Sequence, residues 1–376
     1  MAVAFSMPTS LMAEDTKNID LNQPTPQMIK TIHDLEKGLN KPFPEFEYAL
    51  YTGFNKRAKI HPFNKTNPVP ELTECQTTEY QHNLLTLGFN LGPAGADGVK
   101  GRLTNEATRM FQFYFAPLIK SQTTHGLLDQ TTIDNVRNVA HTIQKMSKEY
   151  KTPQGVLTAI YAASQHTGED FSYLMELAFS ESSFRTQIKA RRSSAFGLYQ
   201  FTNDTWLFAI HSFGHKYQLG FYADQIEFLE NEDGKLKPIL KNPVSFKHVA
   251  SLRQDPYLSA IMAAELAQLN SKSMDEWNVL PKGSHRTSKY LGHFFGIKDS
   301  IIFGYALKHT PNAKAADVFA KLAKANPAIF YNKRKARSFQ EIYSHFSKKF
   351  DTGHFEQKER IVITKATDTF GCKSSG

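Results

Sequence analysis

The sequence predicts a mainly α chain built from two helical units, and three observations carry this. Phe171, Leu174, Met175, Ala178 and Phe179 recur at helical spacing and form one apolar stripe. Asp255-Pro256, following Arg253-Gln254, opens an Ala-rich run through Leu269 that reads as a second helix. Nearer the N-terminus, the Asp97-Gly98 turn separates apolar segments, and Leu84, Leu87, Ala107, Met110 and Phe111 supply a core for them. With 376 residues, 40% hydrophobic and 12% aromatic, the chain has enough apolar mass for two or three packed domains. No run approaches the roughly eighteen apolar residues of a membrane span.

Taken in order, residues 1–70 read as an irregular N-terminal extension with no assigned role. Met1 to Ala13 is apolar and small, but the first basic residue is Lys17. A secretory signal starts with positive charge, so none is expected here. Asp34 to Tyr51 has aromatic residues enough to pack, while Pro42, Pro44, Pro62, Pro68 and Pro70 interrupt regular structure. Residues 71–145 hold an ordered set: Tyr80-Gln81, Leu84-Leu85, Leu87-Gly88-Phe89, Asp97-Gly98-Val99-Lys100-Gly101, Thr104, Ala107 and Phe111-Gln112. A weaker echo follows in Gly126-Leu127-Leu128-Asp129 and Thr131. This set resembles the small three-helix peptidoglycan-binding module. The resemblance implies that Asp97, Gly98, Gly101, Thr104, Phe111 and Gln112 carry its hallmark. It also implies that the module tethers the chain to the cell wall and raises the effective substrate concentration.

A short basic helical linker is expected next, followed by a unit over residues 152–350. Here Thr167 with Asp170 suits a helix start, and Ser182-Ser183 suits its end, which places Glu181 near a helix C-terminus at the edge of the stripe. The helix dipole and burial against Phe179 and Phe184 should both oppose a carboxylate there, favouring an acid that keeps its proton. Glycosidic cleavage needs such an acid. Glu176, by contrast, falls on the opposite face and should be solvated. After Glu181-Ser182-Ser183-Phe184 come Ser193-Ser194-Ala195-Phe196-Gly197-Leu198-Tyr199-Gln200-Phe201 and then Thr205-Trp206. This run resembles the goose-type and soluble lytic transglycosylases, enzymes with a lysozyme-like helical domain that cleave peptidoglycan glycan strands.

The resemblance covers about residues 152–350, with later blocks at Arg253 to Leu269 and at Tyr290-Leu291-Gly292-His293-Phe294-Phe295-Gly296. It implies Glu181 as general acid and base. It further implies Ser193, Ser194, Gly197, Tyr199, Gln200 and Tyr290 as residues lining the sugar cleft, and His293, three residues after Tyr290 and so on the same helical face, is expected to bind substrate with them. Gly197 would allow close backbone approach to substrate or to the Glu181 helix, and Tyr290 matches a tyrosine that hydrogen-bonds near the acid. The Tyr-Asn pair usual in the soluble bacterial enzymes is absent, because Leu291 follows Tyr290. No second carboxylate sits in a matching motif. Hydrolysing glycosidases commonly use two, whereas lytic transglycosylases use one and let the muramic acid C6 hydroxyl close onto C1, leaving a 1,6-anhydro end. A muramidase or chitinase-like hydrolase stays open as an alternative, with Asp204 or Asp224 as second acid, although an Asp before Thr-Trp more often caps a helix. So does a noncatalytic wall-binding structural protein.

The formal charge is +9, and residues 301–350 hold ten Lys/Arg against two acids. Lys333-Arg334-Lys335-Ala336-Arg337 is the densest cluster, and such a region attracts anionic envelope polymers such as teichoic or lipopolysaccharide phosphates. No nucleic-acid motif accompanies it, and no nucleic-acid partner is expected. Cys75 and Cys372 do not make a disulfide framework. No metal site, cofactor or oligomer is expected. Small elements of strand are expected in the Ser193 to Phe201 turn, around Phe228 to Lys241 and at Arg360 to Thr364, in an otherwise mobile tail over 351–376. The order of units resembles modular endolysins of phages infecting Gram-negative bacteria. Such a protein is made in the host cytoplasm or carried in a virion, and acts on the periplasmic wall.

Overall fold

The computed structural model describes residues 71–118, 128–191, 193–230, 236–241, 246–281, 285–355 and 363–366. The expectations for residues 1–70, for Gly126 and Leu127, and for Arg360 to Val362 lie outside the described residues. So does Cys372. Cys75 is nonetheless disulfide-bonded.

Among the described residues three helices come first: α1 (Glu74–Thr86), α2 (Arg102–Tyr114) and α3 (Gln130–Tyr150). Thr73 and Gln76 form a capping box that starts α1, and Asp129 caps α3 by accepting from the Thr132 amide. The Asp97-Gly98 turn is fastened from inside by one buried amide. The Gln81 side chain donates to Asp97 Oδ1 at 2.9 Å and to Thr104 Oγ1 at 3.1 Å, and accepts from the Gly98 N–H at 2.8 Å. Gly101 provides the N-cap of α2, Phe111 is fully buried, and the Gln112 amide donates to Thr132 on α3. These residues are held within the module by each other.

The chain continues through α4 (Gln154–Thr167), α5 (Phe171–Ser182), α6 (Asn203–Phe213) and the single turn α7 (Gly220–Ala223). Next come an antiparallel hairpin of β1 (Ile226–Glu230) and β2 (Leu236–Leu240), the short α8 (Phe246–Ser251), and the long α9 (Pro256–Trp277). Asp255 caps α9 and Pro256 fills its first turn, as the sequence signals. α10 (His285–Phe295), α11 (Ile297–His309), the short α12 (Ala315–Val318), α13 (Ala320–Ala325) and α14 (Pro327–Phe330) follow. A two-residue hairpin of β3 (Tyr331–Asn332) and β4 (Lys335–Ala336) leads into α15 (Phe339–Phe350). The basic cluster forms that hairpin, with Lys333 and Arg334 exposed at its tip in left-handed backbone. The architecture is mainly helical, and among the described residues no helix is long and apolar enough to cross a membrane.

α9 is the axis of the second unit, with α4 and α10 packed along it. The core does not stop at the module boundary. Tyr257, at the start of α9, stacks on Phe89 and Tyr114 at 5.1 and 4.6 Å, and its hydroxyl donates to the Leu87 carbonyl at 2.7 Å. Gly88 stands so close to α4 that a Cβ there would meet Gly155 Cα at 2.7 Å. One apolar cluster therefore runs from Tyr80 to Phe355.

The segment after α15 is held at two places, contrary to the mobile tail expected. Phe355 is buried against Phe179 and Phe184. Further on, the Thr364 amide donates to Thr142 and the Ala366 amide to Asn138, both on α3. Residues 363–366 are not part of a strand.

Candidate active site

α5 begins where Asp170 accepts from the amides of Ser172 and Tyr173 at 2.8 and 3.3 Å. Thr167 belongs instead to the end of α4, where its hydroxyl donates to Ala163. From Phe171 to Ala178 every residue of α5 is buried. Glu176 is therefore not solvated. It is 2% exposed, its Oε2 accepts the His354 amide at 3.0 Å, and the His354 ring lies 3.5 Å from Oε1. The stripe predicted a helix with one wet face, but residues 351–355 cover that face. Phe179, expected to bury the acid, is 40% exposed instead.

Glu181 lies in the last turn of α5 with its side chain 21% exposed. His293 Nε2 stands 3.4 Å from Glu181 Oε1, within ion-pair range but without hydrogen-bond geometry, and the Tyr290 and Tyr173 phenols lie near enough to feel the carboxyl's charge. Beyond the helix, Ser183 and Phe184 adopt consecutive left-handed conformations, at φ 51° and 64°. Gln200 in the following loop does the same at φ 50°. For a residue as bulky as phenylalanine this is a real cost, of order 1–3 kcal/mol, and such strain concentrates at functional sites.

α10 meets acids at both ends of α5, at its N-cap and the residue before it and in its last turn. Arg286 Nε sits 2.6 Å from Asp170, Lys289 Nζ sits 2.5 Å from Glu169, and His293 meets Glu181. Positions 286, 289 and 293 share one face of a helix. Burial pushes the Glu169 carboxyl above its ordinary range, while Lys289 and the Asp170 amide pull the other way. Glu169 Oε2 and the Tyr173 hydroxyl are buried with no hydrogen-bond partner among the described residues. Tyr290 is buried, stacked 4.0 Å from Phe350 and 5.9 Å from His293. Burial, with the charge of Glu181 added, pushes its phenol far up. No hydrogen bond joins Tyr290 to Glu181 among the described residues.

The loop between α5 and α6 brings the other expected residues together, largely in a framework role. Phe196 bridges Lys189 and Phe201, which is the small strand element expected there. Tyr199 is fully buried and its hydroxyl donates to the Leu174 carbonyl at 3.2 Å, so it ties the loop to α5 instead of lining a cleft. The Gln200 amide donates to the carbonyls of Ile188 and Gly197. Gly197, at φ 83°, lies against the Arg253 carbonyl, which a Cβ would approach to 2.6 Å. Its close neighbour is thus the turn before α9, not the Glu181 helix. Ser194 accepts from the Asn203 amide, and Ser193 is exposed. Asp204 is exposed in the first turn of α6, which Thr202 caps, and Asp224 pairs with His215 at 2.8 Å. Glu169, Asp170, Arg286 and Lys289 escaped the sequence reading as site residues. The spacing of Arg286, Lys289 and His293 was the available signal.

No family model matches the chain.

Proposed function

We propose that this chain is a lytic transglycosylase that cleaves the β-1,4 bond between N-acetylmuramic acid and N-acetylglucosamine in peptidoglycan. What supports this most is the setting of Glu181, a part-exposed carboxyl at a helix end with one imidazole partner, beside a strained turn. Glu181 in its acid form gives its proton to the bridging oxygen as the bond from C1 breaks. N-Acetylglucosamine leaves as an alcohol. The Glu181 carboxylate then takes the proton of the muramic acid C6 hydroxyl, whose oxygen closes onto C1. The enzyme returns to its starting form and no water is consumed.

On this reading α1 to α3 hold the glycan strand near the site, and the β3–β4 hairpin meets anionic envelope polymers. A phage endolysin or virion-associated lysin is the setting that the resemblance suggests. Mass spectrometry of digested, purified peptidoglycan tests the chemistry. The products should carry 1,6-anhydro ends, one water lighter than hydrolytic products and resistant to borohydride. Reducible muramic acid ends would instead mean hydrolysis with a second acid. An undigested wall would leave a binding protein.

A further inference from the structure

Three contacts run between α10 and the two ends of α5, two of them made by Arg286 and Lys289 and the third by an imidazole. Arg286–Asp170 and Lys289–Glu169 fasten α10 to the start of α5, and Thr287 adds a third anchor by donating to Asp351 at 2.7 Å. His293, two turns beyond Arg286, is thereby delivered to Glu181 at a set distance, and its ring is held from the side by the Tyr290 ring. The residue type matters. An ammonium or guanidinium at this position would bind the carboxylate so well that the acid form would be disfavoured. An apolar residue would leave the carboxyl to rotate. A neutral imidazole N–H can hold a carboxyl before and after it gives up its proton.

We propose that His293 is a positioning residue for Glu181, its Nε2–H holding Oε1 so that Oε2 is left to carry the proton that the reaction moves. This rests on the reading of Glu181 as the acid. The proton leaves Oε2 for the bridging oxygen, and Oε2 later receives the C6 hydroxyl proton. The imidazole proton stays on His293 throughout. The 3.4 Å approach seen here closes to a hydrogen bond on Oε1 while the glutamate is a carboxylate, since bonds to an ionised acceptor are the stronger ones. The role differs from the substrate contact expected for His293 from its spacing on the helix.

The test uses the full chain, with kcat and KM measured on solubilised, peptide-free glycan strands and histidine ¹⁵N spectra recorded in parallel. His293→Ala should lower kcat by about tenfold to a hundredfold with KM within about twofold, the cost of a misplaced catalytic group. His293→Gln, which keeps an N–H donor, should recover most of that loss. Unchanged kinetics in His293→Ala, or a raised KM with kcat intact, would overturn the proposal. His293→Gln also serves should His293→Ala fail to fold, because a large kcat loss in a folded glutamine variant would equally count against it. The spectra separate this inference from the assignment of the acid. His293 should be an Nε2–H tautomer whose ring signals move in Glu181→Ala. If they do not move, the positioning role is wrong, even in a chain that cleaves peptidoglycan. If they move while Glu181→Gln cleaves as well as wild type, the contact stands, but the positioning proposal fails with the acid reading on which it rests.

Discussion

Glu176 and Glu181 share one helix and have opposite surroundings. On the proposed reading, Glu181→Gln should keep the fold and lower cleavage by several orders of magnitude, because an amide can neither donate nor retrieve the proton. Turbidity clearance of permeabilised cells by the variant measures this. Glu176 is no neutral comparison. Glu176→Ala removes the buried carboxyl that accepts the His354 amide and should cost about 0.5–1.5 kcal/mol by chemical denaturation, with cleavage per folded molecule retained. The stripe around Glu181 was legible because its period is local. The cover over Glu176 was not, because it arrives from 178 residues away.

At the scale of elements, the contact between α10 and the start of α5 couples stability to pH through Glu169. Its carboxyl is raised in the fold, so the protonated form is the one that folding favours. That contribution is present below the ordinary carboxylate value and is lost as pH rises through it toward the folded value. Lys289 opposes the loss by pairing with the ionised form. Lys289→Met should therefore be nearly neutral at about pH 4 and destabilising by about 3–5 kcal/mol at about pH 8, where a buried charge stands unpaired. Melting temperatures across this range would show the gap widening upward. A gap that narrowed would contradict the assignment. The helices themselves were readable from caps and turn residues, as at Asp255-Pro256 and Ser182-Ser183. The pairing between them was not, since spacing on α10 names a face but not the acids it will meet.

For the molecule as a whole, the shared core decides how it unfolds. The sequence reading expected a wall-binding module and a catalytic unit that work as separate pieces, yet Tyr257 is packed between Phe89 and Tyr114 of the first piece. Each such aromatic pair adds about 0.5–1.5 kcal/mol beyond the area it buries. The full chain should melt in one calorimetric transition, and a fragment of residues 152–376 should melt lower and aggregate. Two well-separated transitions would show the pieces to be independent. Gly88→Ala, which combines a φ of 89° with a Cβ 2.7 Å from Gly155, should lower that single transition by about 1–3 kcal/mol or more. Motifs marked both units in the sequence. Their seam was invisible, because Phe89, Tyr114 and Tyr257 are ordinary core residues until the fold sets them face to face.

The 351–355 segment, which caps the buried face of α5, also sets an order of events in the cell. At about 5–20 residues per second of synthesis, His354 leaves the ribosome roughly 10–35 s after Glu176. Through that interval the nascent helix presents an apolar face and a carboxylate to whatever surrounds it. A newly made chain thus cannot finish packing the helix that carries Glu181 until translation has passed residue 355. Premature termination anywhere before that point yields a product with Glu181 encoded but its helix unsealed.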